Sequence, residues 1–104
     1  MSKFRSDTQG DTAVQERVQT KEPPMFKVIL LNDNYTSMEF VVLVLETIFN
    51  KSGQEAQHIM LSVHQKGSGV AGVYTKEIAE TKIAIVHHLA KQNDFPLKCT
   101  MEPA

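Results

Sequence analysis

The apolar run FVVLVL at residues 40 to 45 constrains the fold more than any other feature of the sequence. As a helix it would carry apolar side chains on most sides, so other elements must cover it and it should lie deep in a core. It is far too short to cross a bilayer, which takes about 20 apolar residues. No longer apolar segment is present, so we expect neither a signal peptide nor a membrane span. With 104 residues the chain can form one domain around one core.

The charge balance and the single cysteine narrow the class of protein further. Eleven basic and twelve acidic side chains give a formal net charge of −1, without the basic excess of nucleic-acid-binding proteins. Cys99 can form neither an internal disulfide nor, by itself, a thiolate metal site. We therefore expect a cytoplasmic protein without a metal ion or a cofactor, which binds neither nucleic acid nor membrane.

Residues 1–22 differ in composition from the rest of the chain. They are mainly polar or charged, with few apolar side chains to offset the entropy cost of ordering. We predict a flexible N-terminal extension, and on composition alone it could be a passive leader. Pro23 and Pro24 end it, so the folded domain is predicted to comprise residues 23–104.

The first half of that domain has signals for one strand and two helices. Residues 26–31 are rich in strand-forming side chains and end at a cluster of Asn and Asp. A capping box, in which Thr36 and Glu39 would bond each other's backbone N–H groups, predicts a helix over residues 37–50. A second capping box at Ser52 and Glu55 starts another helix, which ends near Gly67. Its apolar stripe comprises Ala56, Ile59, Met60 and Val63.

The second half predicts a strand, a helix and a final strand. Residues 70–74 form the strand, and Thr75 then caps a helix with Glu77, Glu80, Lys82 and Lys91 facing water. Its apolar stripe comprises Ala79, Ile83, Val86 and Ala90, supported by Ile85 and Leu89. Residues 95–101 form the last strand. The β-α-α-β-α-β order predicts an α+β domain with three helices on one face of a three-stranded, mainly antiparallel sheet.

Two features that could indicate an enzyme are weak. Gly67, Gly69 and Gly72 have the G-x-G-x-x-G spacing, but a helix precedes them and a strand follows, the reverse of a dinucleotide-binding loop. His87 and His88 point in different directions on a helix and are expected to be solvated, while Cys99 is expected to be a small core residue.

Asp33 and His64 form the one conceivable catalytic pair. His64 follows Met60 by one helical turn, at the edge of the apolar stripe, where it could equally be an ordinary histidine at a helix end. No Ser, Cys or Lys nucleophile accompanies the pair in a recognisable arrangement. The run Asn32, Asp33 and Asn34 could likewise be a simple turn or a cluster of acceptors facing a cation.

Three segments together closely resemble the ClpS family. They are KVILLNDNYTSMEFVVLVL, MLSVHQKGSGVAGVYTKEIAETK and FPLKCTME, in the family's order, and they span about residues 23–103. The family comprises adaptors that hand proteins with destabilising N-terminal residues to the AAA+ unfoldase ClpA and its protease ClpP. The resemblance therefore implies a non-catalytic adaptor domain; a hydrolase and a non-degradative interaction domain are the alternatives.

The resemblance implies a site for a free N-terminal Leu, Phe, Tyr or Trp. An α-ammonium group has three donors, and Asn32, Asp33, Asn34 and neutral His64 could supply its acceptors. The family's apolar pocket corresponds to Leu30, Thr36, Met38, Val41, Met60, Val63 and Leu97. Methionine adapts to aliphatic and aromatic shapes. In the family the position of Met38 excludes β-branched first residues, although a methionine there could simply fill the core.

The resemblance also implies a second surface, on the third helix. Glu77, Glu80 and Lys82 match positions that contact the unfoldase's N-terminal domain, although they could also be an ordinary solvated helix face. The N-terminal extension would be fed to the unfoldase during delivery. No exposed apolar stripe requires a dimer, so we expect a monomer.

Two positions depart from the family pattern. Asn34 replaces the usual aspartate and retains an acceptor oxygen without the negative charge, which should hold an ammonium group less strongly. Ser37 replaces the usual proline, expected at the first helical position, and should cost only some preorganisation.

Overall fold

The computed structural model describes residues 22–104, which form three strands and three helices. They are β1 (Met25–Leu31), α1 (Met38–Thr47), α2 (Gly53–Lys66), β2 (Ser68–Thr75), α3 (Lys76–Gln92) and β3 (Lys98–Pro103). The α+β class and the element order are thus confirmed. The prediction for residues 1–22 lies outside the described residues, apart from Glu22, and stays a prediction.

The sheet has the order β2-β1-β3, with both pairs antiparallel. Leu30 in the central strand lies opposite Gly69 on one side and Cys99 on the other. Val28 and Leu30 are completely buried, whereas Ile29 between them is only partly buried, so one face of the sheet carries the core. A bulge between Val28 and Ile29 shifts the register against β2.

The core lies between this face and the helices. The buried side chains of α1, α2 and α3 are Phe40, Val41, Val44, Leu45, Ala56, Met60, Val63, Ala79, Val86 and Ala90. One side of α1 nevertheless remains open, since Leu43 is 46% exposed. The helix is therefore less deeply enclosed than its apolar sequence predicted. Ile85 on α3, predicted to support the core, is instead exposed.

The start of α1 differs from the prediction. Ser37, not Thr36, is the N-cap residue, and its hydroxyl accepts a hydrogen bond from the Phe40 N–H at 3.1 Å. The Thr36 hydroxyl instead donates to the Asp33 carboxylate at 2.7 Å. The Thr36–Glu39 capping box is therefore wrong, as is the assignment of Ser37 to the first helical position. The Thr36 hydroxyl serves as a donor to the charged carboxylate, and the Ser37 hydroxyl is the acceptor at the helix end.

The boundaries of the second and third helices agree better with those predicted from the sequence. The capping box of Ser52 and Glu55 is confirmed, and α2 ends at Gly67, which has a left-handed φ of 93°. Thr75 is the N-cap of α3 but makes no side-chain capping bond. The last strand begins at Lys98 rather than residue 95, because Phe95 leaves the strand and packs against Phe40 with ring centroids 4.8 Å apart.

Lys82 was predicted to face water but is half-buried, whereas His87 is exposed, as predicted, and makes a hydrogen bond as well. The Lys82 ammonium donates to the Ile48 carbonyl at 2.7 Å and lies 5.2 Å from the centroid of the Tyr74 ring. Ile48 ends α1, where carbonyl groups lack partners within the helix and a lysine is favourable. His87 Nε2 accepts a hydrogen bond from the Cys99 N–H at 3.1 Å, so this histidine ties α3 to β3.

Candidate functional site

A cavity of about 220 Å³ lies where the loop after β1 meets α1 and α2. It is lined by Asn32, Asp33, Asn34, Thr36, Met38, Val41, Met60, Val63 and His64. All four predicted amino-group contacts and five of the predicted pocket residues therefore surround one space. The other two, Leu30 and Leu97, do not line it; their side chains are 0% and 3% exposed and belong to the core.

A backbone contact joins the loop to α2. The Asn32 N–H donates to the carbonyl of Gly67, the residue at which α2 ends, at 3.0 Å. His64 lies in the last turn of α2, one residue after the buried Val63. The contact therefore holds the polar loop beside His64, although the two are far apart in the sequence.

The Asp33 carboxylate organises the loop. Its Oδ1 accepts the N–H groups of Tyr35 at 2.8 Å and Thr36 at 2.7 Å, and its Oδ2 accepts the Thr36 hydroxyl at 2.7 Å. A carboxylate has about four acceptor sites. Three are used within the loop, so only one, on Oδ2, is left for a ligand.

These bonds also set the charge of Asp33. Burial raises the pKa of its carboxyl group, but the bonds from Thr36 and Tyr35 outweigh it and lower the pKa below the ordinary value of 3.8. Asp33 is therefore ionised at neutral pH. Its contribution to stability is present above the unfolded-state pKa and is lost as the pH falls through the lower folded-state pKa. The loop thus keeps its negative charge until the solution is strongly acidic.

The two sides of the cavity differ in chemistry. Asn32 and Asn34 are exposed and offer amide oxygens beside Asp33, and the imidazole of His64 lies in the same lining. Val41, Met60 and Val63 are 6%, 7% and 3% exposed and form an apolar wall. Met38 is 42% exposed, at the edge. The arrangement suits a small cation attached to an apolar group.

The lining of this cavity lacks the nucleophilic side chains that a catalytic site of this kind would use. Its lining contains no Ser, Cys or Lys, and the Thr36 hydroxyl is committed to Asp33. Cys99 is buried elsewhere, and burial raises the pKa of its thiol to about 12. Residues 22–104 contain no cluster of three His, Cys, Asp or Glu side chains suited to a metal ion. Within the same range, no helix is both long and apolar enough to span a membrane.

Two further depressions adjoin the cavity, and sequence reasoning missed both. A groove of about 440 Å³ between α1 and α2 is lined by Met38, Glu39, Val42, Leu43, Glu46, Gln57 and Met60. We call it the α1–α2 groove. On the loop side, a depression of about 410 Å³ includes Tyr35, Pro96 and Lys98. The helical spacing of Met38, Val42 and Glu46 could have indicated the first of these.

The residues predicted to contact an unfoldase lie on α3, which contributes nothing to the cavity lining. Glu77 and Glu80 are exposed, whereas Lys82 is half-buried. The predicted peptide-binding cavity and the predicted unfoldase-binding surface therefore lie on different elements of the fold.

Comparison with known families agrees with this geometry. A family described as "ATP-dependent Clp protease adaptor protein ClpS" matches residues 21–100. The chain belongs to the ClpS family. This confirms the resemblance found in the sequence, and it makes the protein an adaptor of the Clp protease rather than an enzyme.

Individual relatives match over most of their length. The chain is 60% identical to a ClpS adapter protein of Desulfatibacillum aliphaticivorans, covering 90% of each chain. It is 56% identical to one of Desulfotalea psychrophila, covering 90% of this chain and 92% of the relative. Among solved structures, Agrobacterium tumefaciens ClpS2 bound to L-phenylalaninamide superposes with a TM-score of 0.76 at 42% identity. That match covers 80% of this chain and all of the other.

Proposed function

We propose that this adaptor binds proteins with a free N-terminal Leu, Phe, Tyr or Trp and delivers them to a ClpA-type unfoldase and ClpP. The observation that carries the proposal is the cavity in which Asp33, Asn34 and His64 face an apolar wall. The solved relative supports it, because L-phenylalaninamide has a free α-amino group and an aromatic side chain.

The binding energy has two sources. A buried ammonium donor left without an acceptor costs about 1–3 kcal/mol, and more when charged, so each of the three donors needs a partner. The free site on Asp33 Oδ2, an amide oxygen of Asn32 or Asn34, and His64 meet that requirement. Burying the first side chain against Val41, Met60 and Val63 adds roughly 1.5–3 kcal/mol.

Met38 supplies the selection against branched residues. It lines the cavity together with the amino-group contacts and the apolar wall, and it is exposed. A ligand with a second branch at Cβ would meet this side chain as it entered. We therefore expect Val and Ile to be disfavoured as first residues.

Fluorescent peptides starting with Leu, Phe, Val or Met, each with a free or an acetylated N-terminus, test the proposed site. We expect the free Leu and Phe peptides to bind best and acetylation to eliminate their binding, because it removes the charge and two donors. Fluorescence anisotropy gives the affinities. Equal binding of free and acetylated peptides would falsify the ammonium site.

The Asn34→Asp variant tests the departure from the family pattern. A carboxylate makes a stronger hydrogen bond to an ammonium group than an amide does. We expect a gain of about 0.5–1 kcal/mol, which is roughly a two- to fivefold lower Kd for a Leu-initiated peptide. Asn34→Ala, measured in parallel, should weaken binding. Unchanged or weaker binding by Asn34→Asp would argue against an ammonium contact here.

Delivery requires the second surface. We propose that α3 contacts the unfoldase through the exposed Glu77 and Glu80, and that Lys82 lies at the edge of this surface. The hydrogen bond from Lys82 to the Ile48 carbonyl also joins α3 to α1. We also propose that the adaptor acts in the cytoplasm as a monomer and that residues 1–22 enter the unfoldase.

Purified ClpA and ClpP should degrade a Leu-initiated reporter faster when the adaptor is added. No acceleration, despite intact peptide binding, would refute delivery.

A further inference from the structure

The methionines within residues 22–104 differ in their exposure to solvent. Met25 and Met38 are 40% and 42% exposed, whereas Met60 is only 7% exposed. Met101 is partly buried and packs against the core. The susceptibility of a methionine to oxidation increases with the exposure of its sulfur. Met25 and Met38 are therefore the two described methionines that a small oxidant in solution reaches most readily.

These two side chains are almost equally exposed but lie in different places. Met25 is the first residue of β1 and does not line the cavity or either depression beside it. Met38 is the first residue of α1 and lines both the cavity and the α1–α2 groove. A chemical change at Met38 therefore alters the wall of the binding site, whereas the same change at Met25 does not.

The single cysteine does not offer a competing site for oxidation. Cys99 is 4% exposed, and burial raises the pKa of its thiol to about 12. The thiolate is the form that oxidants attack, so very little of the reactive species is present at neutral pH. Mild oxidation of this chain is therefore expected at methionine rather than at cysteine.

The oxidation of methionine by a peroxide transfers one oxygen atom and is reversible. A sulfur lone pair forms the new S–O bond with hydrogen peroxide and the O–O bond breaks. The departing hydroxide takes the proton of the transferred oxygen and becomes water, and the thioether becomes a sulfoxide. Methionine sulfoxide reductases restore the thioether, since two thiols are oxidised to a disulfide and the oxygen leaves as water.

The sulfoxide changes the surface that the first side chain of a substrate meets. A flexible apolar group becomes a polar and chiral one, whose oxygen is a hydrogen-bond acceptor. In the proposed complex a Leu or Phe side chain packs against Met38 and the apolar wall. Val41 and Val63 in that wall offer no side-chain donor to the new oxygen. Covering a polar group without a hydrogen-bond partner is unfavourable, so oxidation opposes binding.

We propose that Met38 is a reversible oxidation site through which peroxides weaken the binding of N-terminal residues. The inference rests on the proposed function of the cavity. Because Met38 is 42% exposed, part of the sulfoxide stays hydrated in the complex and the effect is partial. We expect oxidation to raise the Kd for a Leu-initiated peptide roughly three- to tenfold. The adaptor then holds its substrates less tightly under oxidising conditions and recovers when the sulfoxide is reduced.

Hydrogen peroxide treatment of the full chain tests the site. Trypsin cleaves after Lys27 and Lys51, so Met38 falls in a fragment without another methionine, and mass spectrometry of that fragment measures its sulfoxide content. Fluorescence anisotropy with a Leu-initiated peptide measures affinity before treatment, after treatment and after repair by methionine sulfoxide reductases with a thiol. We expect Met25 and Met38 to be oxidised before Met60, binding to weaken, and repair to restore it.

The possible failures of this experiment are distinguishable. Unchanged affinity in a chain that carries the sulfoxide at Met38 would overturn the inference and leave the proposed function intact. A Met38 that stays a thioether while Met25 is oxidised would overturn it as well. Absence of peptide binding before treatment would refute the proposed function, and the inference with it.

Met38→Leu and Met25→Leu form a matched pair, since the two methionines are almost equally exposed. Each variant is compared with itself before and after treatment, so an effect of the substitution alone cancels. Met25→Leu should lose affinity on oxidation as the wild type does, whereas Met38→Leu should keep the affinity that it had before treatment. A loss that persists in Met38→Leu, or that disappears in Met25→Leu, would overturn the assignment of the effect to Met38.

Discussion

Replacing Asp33 with alanine is expected to weaken the binding of a Leu-initiated peptide roughly 30- to 140-fold, equivalent to about 2–3 kcal/mol. The carboxylate accepts three hydrogen bonds from Tyr35 and Thr36 and has one acceptor site left for the ligand. The substitution removes that acceptor and releases the loop that positions Asn34. Both effects act on the same amino-group contacts.

Asp33→Asn separates the two effects. Its remaining amide oxygen can still accept the N–H groups of Tyr35 and Thr36, whereas its NH₂ group cannot accept the Thr36 hydroxyl or an ammonium donor. We expect an affinity between those of the wild type and Asp33→Ala. Anisotropy titrations give the affinities, and circular dichroism checks that the fold persists. Wild-type affinity in Asp33→Ala would contradict the role assigned to this carboxylate.

Replacing Gly69 with alanine is expected to lower the free energy of unfolding by about 1–3 kcal/mol. A Cβ at this position would lie 2.9 Å from Val63 Cγ2 and 3.2 Å from the Ile59 carbonyl oxygen. The carbonyl is helix backbone and cannot easily move, so α2 and β2 would have to separate. Val63 lines the cavity, and we therefore expect a loss of peptide affinity as well.

Gly67→Asn is the matched control for Gly69→Ala. Gly67 has a φ of 93°, but a Cβ there would meet no atom within 4 Å. Asparagine tolerates left-handed backbone better than other side chains, so this variant should cost less than Gly69→Ala. Urea unfolding measures both. An equal loss of unfolding free energy in the two variants would show that the close approach of α2 is not what requires glycine at position 69. The G-x-G-x-x-G spacing thus reflects a helix end and a tight helix–strand contact.

The amino-acid sequence determined the elements and much of the site. Runs of strand-forming side chains and helical apolar stripes predicted the β-α-α-β-α-β order, because burying apolar side chains dominates the energetics of folding. The motifs that resemble the ClpS family indicated the nine residues that line the cavity. The same resemblance also named Leu30 and Leu97, which are core residues. Sequence position does not distinguish a side chain that lines a cavity from one that lies in the core beside it.

Tertiary structure decided the contacts for which several partners compete. Thr36 could cap α1 or donate to Asp33, and the carboxylate accepted it because the loop brings a charged acceptor within reach. Lys82 reaches the Ile48 carbonyl, a contact across 34 residues that helical spacing could not reveal. The α1–α2 groove exists because three helices leave one side of α1 uncovered. Each of these outcomes depends on distances between segments, and such distances arise only when the core is packed.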